Sequence, residues 1–221
     1  MRYSERFVRL IGGSAIFAFG TVIILNSNIG YGPWDVFHAG LALRTGLTIG
    51  TASIITGLTL TFLVFLLKEA IGLATIVSLL VIGKMIDVFR ALPWPPVCHN
   101  FWLGIPYMIL GIFFSALGTY FYLSAALGTG PRDGLMVAAR RHLHFQVGPI
   151  RITMELTAAL VGWLLGGSVG LGTLLYAFGF GIVLQFVFRL FHFETTAVAH
   201  DNLPDSYRKL KLWLKRLSSG K

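Results

Sequence analysis

The chain has 221 residues, of which 55% are hydrophobic and 12% charged, and its formal net charge is +9. Soluble domains usually carry about 25% charged residues, so this composition excludes a water-soluble globule and implies an integral helical membrane protein. The basic residues flank apolar stretches, which excludes reading the charge as a nucleic-acid-binding surface.

In chain order, six stretches are long and apolar enough to cross a hydrocarbon core of about 30 Å: 8–27, 48–67, 71–90, 102–126, 148–166 and 170–191. The first follows Arg2, Arg6 and Arg9. Its apolar run exceeds a signal-peptide core and no small-x-small cleavage site follows, so it reads as an uncleaved signal anchor. With the N-terminus inside, the loop at 28–47 lies outside with Arg44 as its only basic residue, Lys68 lies inside, and the loop at 93–99 lies outside. Arg132, Arg140, Arg141 and Arg151 then lie inside, as does the tail with Arg208, Lys209, Lys211, Lys215 and Arg216. This distribution follows the positive-inside rule, with Arg90 as an exception, and predicts a multi-pass protein with both termini cytoplasmic.

The chain also repeats itself. Residues 11–90 overlay 109–188 without a gap at a shift of about 98 positions. Gly13 falls on Gly111, Gly20-Thr21 on Gly118-Thr119, Gly50 on Gly148, Thr75 on Thr173 and Gly83 on Gly181. Three spans in each half force the second half to enter the membrane from the opposite side. The expected fold is therefore all-α and polytopic: six transmembrane helices as 3+3 inverted-topology repeats, one at about 8–90 and one at about 106–191. Residues 1–192 would form one transmembrane domain and 193–221 a cytoplasmic tail. A count of four spans per half would need residues 33–45 and 131–143 to cross as well. About 13 helical residues reach only about 20 Å, so these segments read as broken half-helices that re-enter the membrane or lie at its surface.

Each half-helix opens on a related element, Gly30-Tyr31-Gly32-Pro33-Trp34-Asp35 and Gly128-Thr129-Gly130-Pro131-Arg132-Asp133. The glycines permit a sharp turn and the proline suits the first helical position. Asp35 and Asp133 then fall in the first turn, where a carboxylate complements the helix dipole. Two readings stay open: the tips, with Gly32, Gly130 and Trp34, bind an ionic or zwitterionic solute between the repeats, or each Asp is only a cap. Arg132 either pairs with Asp133 or faces the cytoplasmic interface.

Charged residues inside the spans are costly and mark further candidates. Arg151 and Glu155 are one turn apart in the fifth span, and Lys84 and Asp87 lie near the outer end of the third. Each pair is read either as a gate, inner and outer respectively, or as a structural strut, which the interfacial position favours for Lys84 and Asp87. The repeat equivalents Thr59 and Thr157 are pathway candidates among the hydroxyls. His38, one turn after Asp35, could couple a proton. No metal, cofactor or enzyme constellation appears, and the lone Cys98 forms no internal disulfide. Residues 204–217 read as a basic amphipathic helix on an anionic inner leaflet.

The Gly-x-Gly-Pro-Trp-Asp-Val-Phe-His element, followed by Thr48-Ile49-Gly50-Thr51 and Gly72-Leu73-Ala74-Thr75, resembles the YczE/YyaS/YitT group of bacterial membrane proteins, in its YczE-like branch. The resemblance covers roughly 10–190 and implies a polytopic protein of the bacterial inner membrane with a transport-related role. The expected function is transport of a small-molecule or ion substrate at the repeat interface. A channel on the same repeats and a non-transporting accessory or scaffold protein are the alternatives, and a homodimer is left open.

Overall fold

The computed structural model describes residues 3–69, 71–128, 130–143 and 146–193. Among them there are eight helices and no strand: α1 Tyr3–Asn26, α2 Pro33–Thr45, α3 Ile49–Leu66, α4 Leu73–Ala91, α5 Phe101–Ser124, α6 Pro131–Leu143, α7 Val147–Leu164 and α8 Leu171–Leu190. The second four begin about 98 residues after the first four, element for element. Four helical stretches are long and apolar enough to cross a membrane: Ser4–Asn26, Ile49–Leu66, Phe101–Ser124 and Leu171–Leu190. Helices α4 and α7 have similar lengths but carry Lys84, Asp87 and Arg90, and Arg151 and Glu155. The outer faces bear large exposed apolar side chains such as Phe62, Trp102, Phe178 and Ile182, a surface suited to lipid rather than water. The basic tail helix expected at 204–217 lies outside the described residues.

Helices α1 and α5 pack most extensively. A Cβ added at Gly13 would strike the backbone of Tyr122 and the carbonyl of Gly118, and one at Gly20 would strike Ser115 and the carbonyl of Gly111. The pairs 13 with 118 and 20 with 111 run in opposite directions, so the two helices are antiparallel. Small residues let the backbones approach this closely where there is no hydrophobic drive between helices in lipid. Around this pair, α4 packs on α1 and α8 on α5, while α2 packs on α7 and α3 on α6. The short helices thus dock against the opposite half.

The connections follow the same rule. The Gly172 amide donates to the carbonyl of Ile29 at 2.8 Å, and the Ala74 amide donates to that of Leu127 at 2.9 Å. These are equivalent bonds across the two halves. Gly30 and Gly128 have φ of 114° and 132°, a left-handed conformation that disfavours a side chain. A Cβ on either would also meet the backbone of Gly170 or Gly72 respectively. Thr75 and Thr173 each accept the amide of the glycine preceding their helix, at 3.2 Å. The helix starts of α4 and α8 are fixed by these hydroxyls.

Candidate functional site

The breaks before α2 and α6 bring the N-termini of both short helices to one cavity. Pro33 and Pro131 occupy the first helical positions, where a missing N–H costs nothing. Gly32 is buried; a Cβ there would come within 3.1 Å of Asp35 Oδ2 and 3.3 Å of the Tyr176 ring, so the glycine lets that ring close over the tip. Arg132 of α6 reaches across to α2, with its guanidinium carbon 4.7 Å from the Trp34 ring centroid. The guanidinium thus lies over an aromatic face, a favourable place for a cation and a contact that neither reading of Arg132 from the sequence included.

Between the tips lies a cavity of about 480 Å³. Gly32, Trp34, Asp35, His38, Gly130, Asp133, Arg151 and Glu155 all line it. Eight residues singled out in the sequence, from three separate segments, therefore surround one space. Asp35 is 9% exposed and His38 is 1% exposed. His38 Nδ1 lies 3.6 Å from Asp35 Oδ1, beyond hydrogen-bond length, and is buried without a hydrogen-bond partner among the described residues. An unpartnered buried nitrogen beside a carboxylate is a polar group available to a bound molecule. Arg151 Nε donates to Glu155 Oε1 at 3.1 Å along one face of α7. The remaining walls are mostly apolar and aromatic, including Tyr122, Tyr176 and Phe180, with hydroxyls of Ser53, Thr56, Ser78 and Thr119 among them; the Tyr176 and Phe180 rings stack at 5.1 Å.

Lys84 and Asp87 are not part of this site, and they do not pair with each other. Lys84 is exposed. Asp87 turns instead to the start of α3, accepting from the Thr48 hydroxyl at 2.6 Å and the Gly50 amide at 2.9 Å. Free amides at a helix N-terminus together with a hydroxyl outcompete an exposed lysine three residues away. Thr59 and Thr157 also miss the cavity: both are exposed, and the Thr59 hydroxyl donates to the carbonyl of Ile55 in its own helix. Ser53 and Thr56 of α3 line it instead.

Arg132 and Tyr176 were not singled out as site residues. The repeat itself carried the signal for both. Trp34 and Arg132 occupy equivalent positions, as do Ser78 and Tyr176, and all four line the cavity.

The profile of a family of unknown function, DUF6198, matches residues 4–189. The chain is similar to an uncharacterized protein of Haemophilus influenzae, with 34% identity over 177 residues, covering 80% of each chain. It is also similar to the uncharacterized membrane protein YczE of Bacillus subtilis, with 33% identity over 183 residues, covering 82% of this chain and 84% of that one. No solved structure matches the chain.

Proposed function

The chain belongs to the DUF6198 family, and from that premise and the cavity we propose that it carries a small polar or charged solute across the bacterial inner membrane. Six helices, α1, α3, α4, α5, α7 and α8, cross the bilayer as 3+3 inverted repeats. Helices α2 and α6 are re-entrant half-helices, and both termini are cytoplasmic. The antiparallel α1–α5 crossing and the paired amide bonds from Gly172 and Ala74 support the inverted relation. The length of α4 and α7, 19 and 18 residues, supports their crossing despite their charges, since about 18 residues span about 27 Å.

One observation carries the functional reading. Two equivalent helix tips meet around a cavity of about 480 Å³ that holds Asp35, His38, Asp133 and the Arg151–Glu155 pair. A volume of several hundred cubic ångströms suits a metabolite-sized molecule. Charged groups of both signs, with two positive helix ends, suit an ionic or zwitterionic solute. Asp35, Asp133 and Trp34 would contact the solute, and His38 would exchange a proton with it or with Asp35.

Thermal unfolding of the purified protein against a panel of metabolites, vitamins and inorganic ions tests this. A ligand at about 100 times its dissociation constant adds about 2.7 kcal/mol of stability. The reading requires a compound whose stabilisation disappears in Asp35→Asn and Asp133→Asn. A well-folded protein that no compound stabilises would overturn it and favour an accessory role.

A further inference from the structure

The two halves match in sequence but not in packing. Where α3 crosses α4, Gly50 and Gly83 touch: a Cβ on Gly50 would overlap the Gly83 carbonyl, and one on Gly83 would strike Ile54 and the Gly50 carbonyl. Asp87 locks the crossing by capping α3 through Thr48 and Gly50. The equivalent glycines of the second half, Gly148 and Gly181, have nothing within 4 Å of an added Cβ. Among the described residues, α7 and α8 do not pack along each other as α3 and α4 do.

The cavity follows this difference. Along α8 it runs through Tyr176, Phe180 and Leu184 to Phe188, but along α4 it ends at Ile82. Ile86, the equivalent of Leu184, is 1% exposed in the core. Beyond the crossing lies a separate cavity of about 460 Å³, lined by Thr48, Asp87 and Arg90. The Gly50–Gly83 crossing and the Asp87 latch thus separate two spaces.

We propose that this structure is one of two exchanging states, sealed between α3 and α4 and open between α7 and α8. In the other state α7 closes on α8 through Gly148 and Gly181, α3 parts from α4, and the central cavity joins the space beside Asp87. The proposal rests on the inverted repeat described above, because only equivalent halves can exchange conformations. An element with two packings of near-equal energy is what such a switch requires. The halves differ in their latch. Gln185 stands where Asp87 does and Gln146 where Thr48 does, so the second seal lacks the carboxylate's charge-assisted bonds. Such bonds are roughly twice as strong as neutral ones, which accounts for the first seal being the closed one here.

Cysteine cross-linking in membrane vesicles tests the exchange in the full chain carrying Cys98→Ala. Gly57→Cys with Leu79→Cys, where an added Cβ at 57 lies 3.3 Å from that of Leu79 and the Asp87 latch is untouched, reports the first seal, and Gln146→Cys with Gln185→Cys reports the second; a short bifunctional thiol reagent is read out by peptide mass. The first pair links readily. The second links more slowly, not at all in molecules already joined at 57 and 79, and roughly fivefold faster when Asp87→Asn or Gly83→Ala weakens the first seal. If the second pair fails to link in both weakened variants while the first pair links fully, the exchange is overturned. Failure of the solute reading is separate: exchange without any stabilising compound removes the solute, and a stabilising compound without exchange removes only the switch.

Discussion

The guanidinium of Arg132 lies over the indole of Trp34, 4.7 Å from the ring centroid, and these two residues occupy the same place in the two halves of the chain. The contact therefore joins equivalent positions of the two halves, and both side chains line the cavity. A cation over an indole contributes about 0.5–2 kcal/mol, more where water is excluded. A double-mutant cycle with Trp34→Leu and Arg132→Gln, followed by chemical unfolding in detergent, should give a coupling energy in that range. A coupling near zero would show that the two side chains only share space.

Adjacent glycines in α1 should respond oppositely to the same change. Gly13 faces α5, and its added Cβ would sit 2.5 Å from the Tyr122 nitrogen; Gly12 meets nothing within 4 Å. Gly13→Ala therefore forces the central helices apart and should cost about 1–3 kcal/mol. Gly12→Ala only gains helix propensity and should be neutral or stabilising by up to about 1 kcal/mol. Melting temperatures of the two variants decide this, and an equal loss in both would contradict the α1–α5 interface.

The Arg151–Glu155 pair separates stability from function. It spans one helical turn, and its arginine side chain is 48% exposed. Partly exposed pairs of this kind contribute about 0.3–0.5 kcal/mol. Arg151→Gln and Glu155→Gln should each leave the melting temperature nearly unchanged while reducing ligand stabilisation, because both side chains line the cavity. A double neutral variant that binds as well as wild type would assign the pair a structural role alone.

Much of this arrangement is legible from the chain. Apolar length placed the long helices, and Gly-x-Gly-Pro-x-Asp placed the tips, because left-handed glycine and N-terminal proline act through local geometry. Lys84 and Asp87 misled for the opposite reason. Their spacing of three suggests a pair, but the amide and hydroxyl that capture Asp87 belong to another helix. The difference between the two glycine crossings does not show in the glycines, since Gly50 and Gly83 are matched by Gly148 and Gly181; it is written only in their neighbours, Asp87 against Gln185 and Thr48 against Gln146. Arg132 shows what pairing equivalent positions across the repeat adds to reading each half alone.

The orientation can be read from the native thiol. Cys98 lies in the connection between α4 and α5 and is partly buried, its amide donating to the Asn26 carbonyl at 2.7 Å at the end of α1. The positive-inside rule applied to the Lys and Arg residues predicts that this connection lies outside and the α6 segment with Arg140 and Arg141 inside. A membrane-impermeant maleimide applied to intact cells should therefore modify Cys98. The variant Cys98→Ala with Arg141→Cys should react only after the membrane is permeabilised, and position 141 is exposed enough to be reached then. Partial burial slows the reaction at Cys98, so brief denaturation after quenching, with a second mass-tagged reagent, counts the thiols left unmodified. Labelling at 141 but not at 98 in intact cells would invert the topology, placing the open α7/α8 side outside and the Asp87 latch inside.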